Sequence, residues 1–416
     1  MSSQVKVGIP QALFFYTYYP AWRTFFEELG VSVVTSGATT KGTLDAGVQE
    51  AVTDACAPIK LYHGHVAELR GKVDYLFVPR LVSTNGKLIY CPKFLGLPDM
   101  IRHSMADLPK LIDVRIDTRK GKHEWWRVYR EIGRNFTHST WKIYRAYRKA
   151  METDRQFDGM LKAKTTAPDA LKALYGEELA GGKVQPPKST LEVAAAAEPA
   201  SSGALATNTG SGAGTRLTIG ILGYPYAIYD PYLSANLLNK LEALGVTPVA
   251  PDMIPDEVLE RQAGKFPKEL FWTYSDRAVK AAYHFLENGR GQIDGLIHLT
   301  AFACGPDFIV NKLVELECKK LKVLPFMSLM YDEQTGEAGV LTRLEAFVDM
   351  VRRRKEAAER KKVKEGANTS PVNAGAMQIQ VAKLAEQAAK IAEAPKANTN
   401  AVYAQATGGA EQKGVK

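Results

Sequence analysis

The amino-acid sequence predicts an α/β fold built from two related Rossmann-like lobes with parallel sheets. Two stretches, residues 5–34 and 217–250, share one build: an apolar strand, an aromatic segment with proline, a helix and a second strand. Each helix is expected to stop at a glycine, Gly30 or Gly245, because glycine readily adopts the left-handed conformation of a helix C-cap. Strands that alternate with helices in this way predict parallel βαβ units.

The remaining elements follow from hydrophobic periodicity and from turn residues. The predicted strands are 5–9, 31–34, 73–79, 87–90, 217–221, 246–250, 293–299 and 322–329. The aromatic segment 10–20 is expected to be a turn before the first helix. The predicted helices are 21–30, 125–147, 232–245, 310–320 and 339–350.

Composition shifts divide the chain into five predicted segments. Residues 181–215 are rich in Ala, Gly, Ser, Pro and Thr without periodicity, which predicts a flexible linker. In the tail, apolar residues at 4-3-4-3 spacing between Met377 and Ile391 predict a short amphipathic helix. The segments are an N-terminal lobe (1–120), a helical region (121–180), the flexible linker (181–215), a C-terminal lobe (216–355) and a low-complexity tail (356–416).

The totals narrow the functional class. Hydrophobic residues make up 45% of the 416-residue chain, enough for a large core, and no apolar run approaches the length of a membrane span. The formal charge of +9 gathers in two helical stretches, 127–149 and 352–365, where it is more typical of solvated faces than of a nucleic-acid patch. Without a signal peptide, a cytoplasmic protein is expected, in which four cysteines far apart in sequence are not expected to form disulfides.

Three of the four cysteines lie where a regular element is expected to end. Cys56 lies in DACAPIK, Cys91 in CPKFLGLPD and Cys304 in AFACGPD, each beside a proline or one residue away from it. Ligands of open α/β sheets bind outside the carboxyl ends of the strands, and thiolates hold iron–sulfur clusters. Spacings of 35 and 213 residues carry no specificity, so buried structural cysteine stays open as the alternative. Cys318, inside a helical pattern, is expected to be structural.

Candidates for acid–base chemistry are His63, Asp332 and Glu337. His63 and His65 follow Cys56 in LYHGHVAEL, and one of them is expected to relay a proton or to bond a cluster sulfur, the alternative being that it only caps helix carbonyls. Asp332 and Glu337 lie in YDEQTGEAG, where carboxylates serve either as acid–base groups or as caps of the next helix. The usual phosphate, zinc-protease and serine-hydrolase motifs are absent from the sequence.

Six segments of the sequence, taken in order, form a specific set: GIPQALFFYTYYPAWRTFFEELG, DACAPIKLYHGHVAEL, DYLFVPRLVS, CPKFLGLPD, AFACGPD and DEQTGEAGVLTRLEAFVD. Together they resemble the activase-related proteins of the 2-hydroxyacyl-CoA dehydratase group, which are relatives of the dehydratase D-component and of the double-cubane cluster proteins. The resemblance covers roughly residues 5–105 and 215–350 and omits the linker and the tail.

The resemblance implies a 4Fe-4S or larger cluster held by Cys56, Cys91 and Cys304. It further implies low-potential electron transfer, or radical reduction or dehydration of an acyl-CoA-like substrate, with a separate ATP-dependent activase as partner. A homo-oligomer and a non-catalytic scaffold for such a system are the alternatives. Phe308 and Gln334 depart from the pattern of the group and leave the substrate open. Three cations near the cysteines in sequence are candidates to attract anionic groups: Lys60, Arg80 and Lys93.

Overall fold

The structure is a computed structural model that describes residues 4–176, 216–266 and 270–367. The strands are β1 (Lys6–Ile9), β2 (Ser32–Thr35), β3 (Tyr75–Phe77), β4 (Arg80–Ser83), β5 (Lys110–Ile112), β6 (Arg115–Asp117), β7 (Leu217–Leu222), β8 (Val246–Val249), β9 (Gly295–Ala301) and β10 (Phe326–Tyr331).

The α-helices connect these strands. They are α1 (Phe15–Glu28), α2 (Lys41–Glu50), α3 (Ala57–Leu69), α4 (Pro92–Leu95), α5 (Leu97–Ser104), α6 (His123–Gly133), α7 (Thr140–Lys162), α8 (Ala167–Tyr175), α9 (Pro225–Tyr229), α10 (Leu237–Ala243), α11 (Asp256–Glu260), α12 (Thr273–Gln292), α13 (Gly305–Leu321) and α14 (Glu337–Ala367).

Two four-stranded sheets confirm the predicted fold class. The first has the order β2-β1-β3-β5 and the second the order β8-β7-β9-β10, and every pairing in both is parallel. In each lobe the first strand therefore lies between the second and the third. This reversal of strand order is the switch point at which open α/β sheets bind ligands. A third, two-stranded parallel sheet pairs β4 with β6.

The helix C-caps were predicted correctly, whereas the start of α1 was not. Gly30 and Gly245 have φ values of +84° and +72°, in the left-handed region that glycine favours. Helix α1 begins at Phe15, so most of the aromatic segment 10–20 is helical rather than a turn. Most of its aromatic side chains are buried, and this packing outweighs the missing backbone donor of Pro20.

Three further element predictions were wrong. Residues 87–90 form only an isolated bridge, Ile89 to Trp272, because they leave β4 to meet the start of α12. The helical region 125–147 is broken between α6 and α7, where the Ser139 side chain caps the second helix by accepting from Lys142 N. The helix expected at 232–245 shortens to α10, since Ala235 and Asn236 before it take positive φ values.

Helices α2 and α3 approach each other unusually closely. A β-carbon at Gly47 would lie 1.9 Å from the carbonyl oxygen of Lys60, and one at Gly64 would lie 1.8 Å from that of Thr43. No side chain fits at such distances, so the paired glycines fix the separation of the two helices. Because Cys56 directly precedes α3, this contact also positions the cysteine.

The chain separates into two compact units, residues 1–352 and 353–416. The first unit contains all three sheets and a continuous core of buried apolar side chains. In the second unit the described residues, 353–367, are helical. The predicted linker 181–215 and the amphipathic helix 377–391 lie outside the described residues, and the predicted segment boundaries stay predictions. Over the described part of the chain, every helix is too short or too polar to cross a membrane.

Candidate functional site

Cys56, Cys91 and Cys304 occupy equivalent positions in three different helices. Each is the N-cap residue, with extended backbone dihedral angles, of α3, α4 or α13 respectively. Proline follows in the first turn of each helix, where its missing N–H has no intrahelical partner to lose. The turn into Cys304 is strained, because Ala303 has a φ of +60° without being glycine.

The three cysteines line one cavity, called here the cysteine cavity. Cys56 is 7% exposed, and Cys91 and Cys304 are half-buried. Among the described residues that line the cavity, none carries a charge. Its volume is about 20 Å³, close to the space of one water molecule. Most of the wall is aromatic: Tyr90, Phe94, Tyr224, Tyr226, Trp272 and Tyr274.

Burial controls the protonation of Cys91 and Cys304. It raises the pKa of Cys91 to about 11, partly offset by the backbone amide of Phe94 and reinforced by the charge of Cys56. Burial also raises the pKa of Cys304 strongly, with added repulsion from Asp307 and then from Cys56 and Cys91. For both thiols burial is the largest cause, and the neighbouring cysteines contribute less. Both thiols are therefore neutral at pH 7 unless a cation stabilises the thiolate.

The ligand atoms of the cavity are of the type that binds iron–sulfur clusters, whereas the cavity is too small to hold a cluster unless its side chains move. Three thiols in an apolar, aromatic shell are the ligands such clusters use. A cluster is larger than one water molecule, so the surrounding side chains would have to move apart. Over the described ranges, no three His, Cys, Asp or Glu side chains are grouped closely enough to hold a single metal ion. Cys318 is buried within α13 and does not line the cavity.

The three acid–base candidates lie away from the lining of the cysteine cavity. His63 is 1% exposed on α3, and its Nδ1 lies 2.7 Å from the carbonyl oxygen of Ile59, to which it donates. Burial lowers its pKa, so the ring is neutral. Asp332 is exposed and accepts from Gln334 N and from the Thr335 hydroxyl.

Glu337 begins α14, with its carboxylate 2.7 Å from the ammonium of Lys240. The geometry thus gives all three candidates a local hydrogen bond or ion pair. Their proposed catalytic roles stay predictions.

The cations near the cysteines are engaged as well. Lys60 forms an ion pair of 2.6 Å with Glu333, which joins α3 of the first lobe to the loop after β10 of the second. Arg80 binds both carboxylate oxygens of Asp99, at 2.6 and 2.8 Å. Lys93 donates to the backbone carbonyl of Asp54 at 3.4 Å.

A buried polar chain between the lobes was missed at the sequence level. Thr39 donates to Asp230 of the other lobe and lies 3.0 Å from Nε2 of His65, whose Nδ1 is 2.8 Å from the Ser36 hydroxyl. Burial raises the pKa of Asp230 to about 6 and lowers that of His65 to about 3. No sequence motif links these four residues, since they come from separate loops and a helix.

A second interaction that was not predicted from the sequence lies beside Cys304 and joins a histidine to an aspartate. His298 on β9 and Asp307 on α13 are both almost fully buried, with Nε2 and Oδ1 3.0 Å apart. The histidine in IDGLIHL and the aspartate in AFACGPD were visible in the sequence, at a strand and at the third position of a helix. Only the fold shows that they meet.

The comparison with protein families gives one match. A family model described as the CoA enzyme activase uncharacterised domain (DUF2229) matches residues 6–254. This range includes Cys56 and Cys91 and ends before Cys304. Among the curated proteins, none matches the chain.

Proposed function

Because the chain belongs to the family of the CoA enzyme activase uncharacterised domain, we propose that Cys56, Cys91 and Cys304 bind an iron–sulfur cluster, of the 4Fe-4S type or larger. One observation carries the proposal: three cysteines separated by 35 and 213 residues line a single cavity. Chance burial of cysteine in separate parts of a core would not place all three at helix N-caps around one space.

The protein's own groups suit an anionic cofactor of low potential. Helices α3 and α13 have 13 and 17 residues, and their N-termini carry the positive end of the helix dipole. The aromatic wall keeps water away from the sulfurs, and burial and hydrogen bonding set the potential of such clusters. A cluster held there would supply one-electron reduction at low potential.

The role proposed is low-potential electron transfer, or the radical reduction or dehydration of an acyl-CoA-like substrate, with a separate ATP-dependent activase as the electron donor. The family description supports a place in an activase system. Exposed apolar side chains beside Cys304 support a docking partner there: Phe302 (54% exposed), Phe308 (56%) and Ile309 (46%). A scaffold without a cluster, which docks the same partners, is the second candidate, and these exposed residues serve it equally.

An iron and sulfide count on anaerobically purified protein separates the two. Wild type is expected to hold about four iron and four sulfide per chain, with a brown colour that dithionite bleaches. Cys56→Ala, Cys91→Ala and Cys304→Ala are each expected to lose most of the iron.

Cys318→Ala is the matched control, because Cys318 is a cysteine outside the cavity and is as buried as Cys56. It is expected to keep its iron. Colourless protein after anaerobic reconstitution, or equal iron loss in all four variants, would contradict the cluster and favour the scaffold.

A further inference from the structure

A second, larger cavity lies beside the cysteine cavity and takes no part in the proposed cluster site. Its volume is about 360 Å³, within the range of small-molecule sites. Part of its wall comes from loops that follow the carboxyl ends of β4, β7 and β8, where α/β sheets bind ligands. Helices α1, α7 and α12 supply much of the rest. We call it the polar cleft.

The cleft shares three wall residues with the cysteine cavity: Tyr90, Thr273 and Tyr274. The Tyr18 hydroxyl lies 2.6 Å from that of Tyr90, and the Thr17 hydroxyl 3.3 Å from that of Tyr274. The tyrosine hydroxyls therefore form hydrogen bonds to other residues of the wall, and the rings give this side of the cleft an aromatic surface. Such surfaces attract organic cations.

Charged side chains on the remaining wall are unbalanced. Three cations, Lys162, Arg277 and Lys280, face six carboxylates, which leaves a formal excess of three negative charges. The carboxylates are Asp154, Asp158, Asp252, Asp256, Glu260 and Asp276.

Pairing uses up all three cations. Lys280 contacts Glu260 and Asp276 at 2.7 and 2.8 Å, and Arg277 contacts Asp256 at 2.8 Å. Lys162 lies 3.5 Å from Asp158 and 3.8 Å from Asp256, and also donates to two backbone carbonyls. Each cation among the described residues of the cleft is therefore already paired with a carboxylate.

Two carboxylates of the cleft form no ion pair within the described part of the chain. Asp252 accepts a hydrogen bond of 2.6 Å from the Tyr229 hydroxyl. Asp154 has neither a hydrogen bond nor an ion pair to any residue in 4–176, 216–266 or 270–367. It lies half-buried on α7 and lines the cleft beside Tyr18 and Phe157. Burial, and then the charge of Asp158, raise its pKa to about 6 against a smaller lowering by Arg155, which leaves it mostly ionised at neutral pH.

We propose that the polar cleft binds a small organic cation, with an ammonium or guanidinium group on a short apolar body, and that Asp154 is its counter-ion. Among the described residues of the wall, Asp154 is the carboxylate with neither a hydrogen bond nor an ion pair, so the cation would pair with it while the aromatic side holds the apolar body. An anionic ligand, such as a phosphate-bearing thioester, would meet excess negative charge, and each described cation of the wall is already paired. The proposal is independent of the cluster, since no cysteine lines the cleft.

Calorimetric titration of the full chain with benzylamine tests the ligand class. Benzyl alcohol and benzoate have the same ring with a neutral or an anionic group, and 1,4-diaminobutane and guanidinium extend the set of cations. At least one cation is expected to bind with a Kd of about 10 mM or tighter, and benzoate is expected not to bind. Preference for benzoate, or no binding by any of the three cations, would overturn the proposal.

Variants test whether the cation binds in the cleft beside Asp154. Asp154→Asn is nearly isosteric and is expected to weaken cation binding by about tenfold or more. Asp45→Asn, an exposed carboxylate paired with Lys41 outside the cleft, should leave binding unchanged. Equal binding by Asp154→Asn and wild type would refute Asp154 as the counter-ion. Repeating the titration on Cys91→Ala separates this outcome from failure of the cluster proposal.

Discussion

Two neighbouring cavities of this protein share a wall and differ in almost every physical property. The cysteine cavity has about 20 Å³, three thiols and no charged residue among those described, whereas the polar cleft has about 360 Å³ and nine charged side chains. Tyr90, Thr273 and Tyr274 stand between them. An apolar shell strengthens electrostatic interactions inside it, while a charged wall selects ligands by sign.

The two cavities also differ in how the charge of their side chains depends on pH. The cleft contains Asp154, whose pKa of about 6 lies close to neutrality, while Cys91 in the other cavity has a pKa of about 11. Between pH 4 and pH 8 the charge of the cleft changes and that of free Cys91 does not. The protein thus places an apolar cavity, in which the Cys91 thiol keeps its protonation state, beside a cleft whose charge depends on pH.

The largest expected effect comes from the helix that carries Cys56. Gly64→Ala places a β-carbon 1.8 Å from the carbonyl oxygen of Thr43, a backbone atom that moves only with α2. The expected loss is about 3 kcal/mol or more in the free energy of unfolding, measured in urea. Because α3 lines the cysteine cavity and not the cleft, iron content should fall while the folded protein keeps its affinity for benzylamine.

Gly42→Ala in α2 is the control, since its nearest neighbour would be the Thr40 hydroxyl at an ordinary 3.6 Å. It is expected to gain up to about 1 kcal/mol from helix propensity. If Gly64→Ala were as stable as this control, the glycine contact would not determine the position of α3.

The second effect concerns the cleft. Burial raises the pKa of Asp154 to about 6 in the folded protein, so between pH 4 and pH 6 the folded state binds a proton that the unfolded chain releases. This contribution to stability is fully present below about pH 4 and is lost as the pH rises through 6. Asp154→Asn cannot titrate, so its unfolding free energy should rise relative to wild type over this window, by up to about 2–3 kcal/mol above pH 6.

Asp230→Asn is the matched comparison, because burial gives Asp230 a pKa of about 6 as well and it lines neither cavity. Both variants should show the same pH window in urea unfolding, but only Asp154→Asn should lose affinity for benzylamine. A difference between Asp154→Asn and wild type that stays constant from pH 4 to pH 8 would show that Asp154 titrates normally.

The architecture could be predicted because it depends on local patterns. Apolar strands and glycines such as Gly30 and Gly245 specified the βαβ units and their ends. The start of α1 could not be predicted from the sequence, because aromatic residues before Pro20 are as typical of turns as of helices until their burial is known. The strand at residues 87–90 was wrongly predicted for a related reason: Trp272, the bridge partner of Ile89, belongs to the other lobe.

The candidate sites were likewise predictable only in part from the sequence. The end of an element and a nearby proline marked Cys56, Cys91 and Cys304, and the structure places all three around one cavity, although their role as ligands stays a prediction. The polar cleft left no such mark, because its charged residues come from α7, from the segments after β8 and from α12. Asp154 in particular reads in sequence as one more charge on a solvated helix.

The smallest expected effect tests how the two lobes are held beside the cysteine cavity. Lys60 and Glu333 form an ion pair between the lobes, with side chains 12% and 26% exposed. A double-mutant cycle with Lys60→Met and Glu333→Gln should give a coupling of about 1 kcal/mol in urea unfolding, smaller at high salt. Since neither residue lines the polar cleft, benzylamine affinity should be the same in all four proteins. Zero coupling would mean that the pair contributes nothing to holding the lobes. A loss of amine affinity instead would show that the two cavities depend on one another through the shared wall, and would remove the physical separation between them.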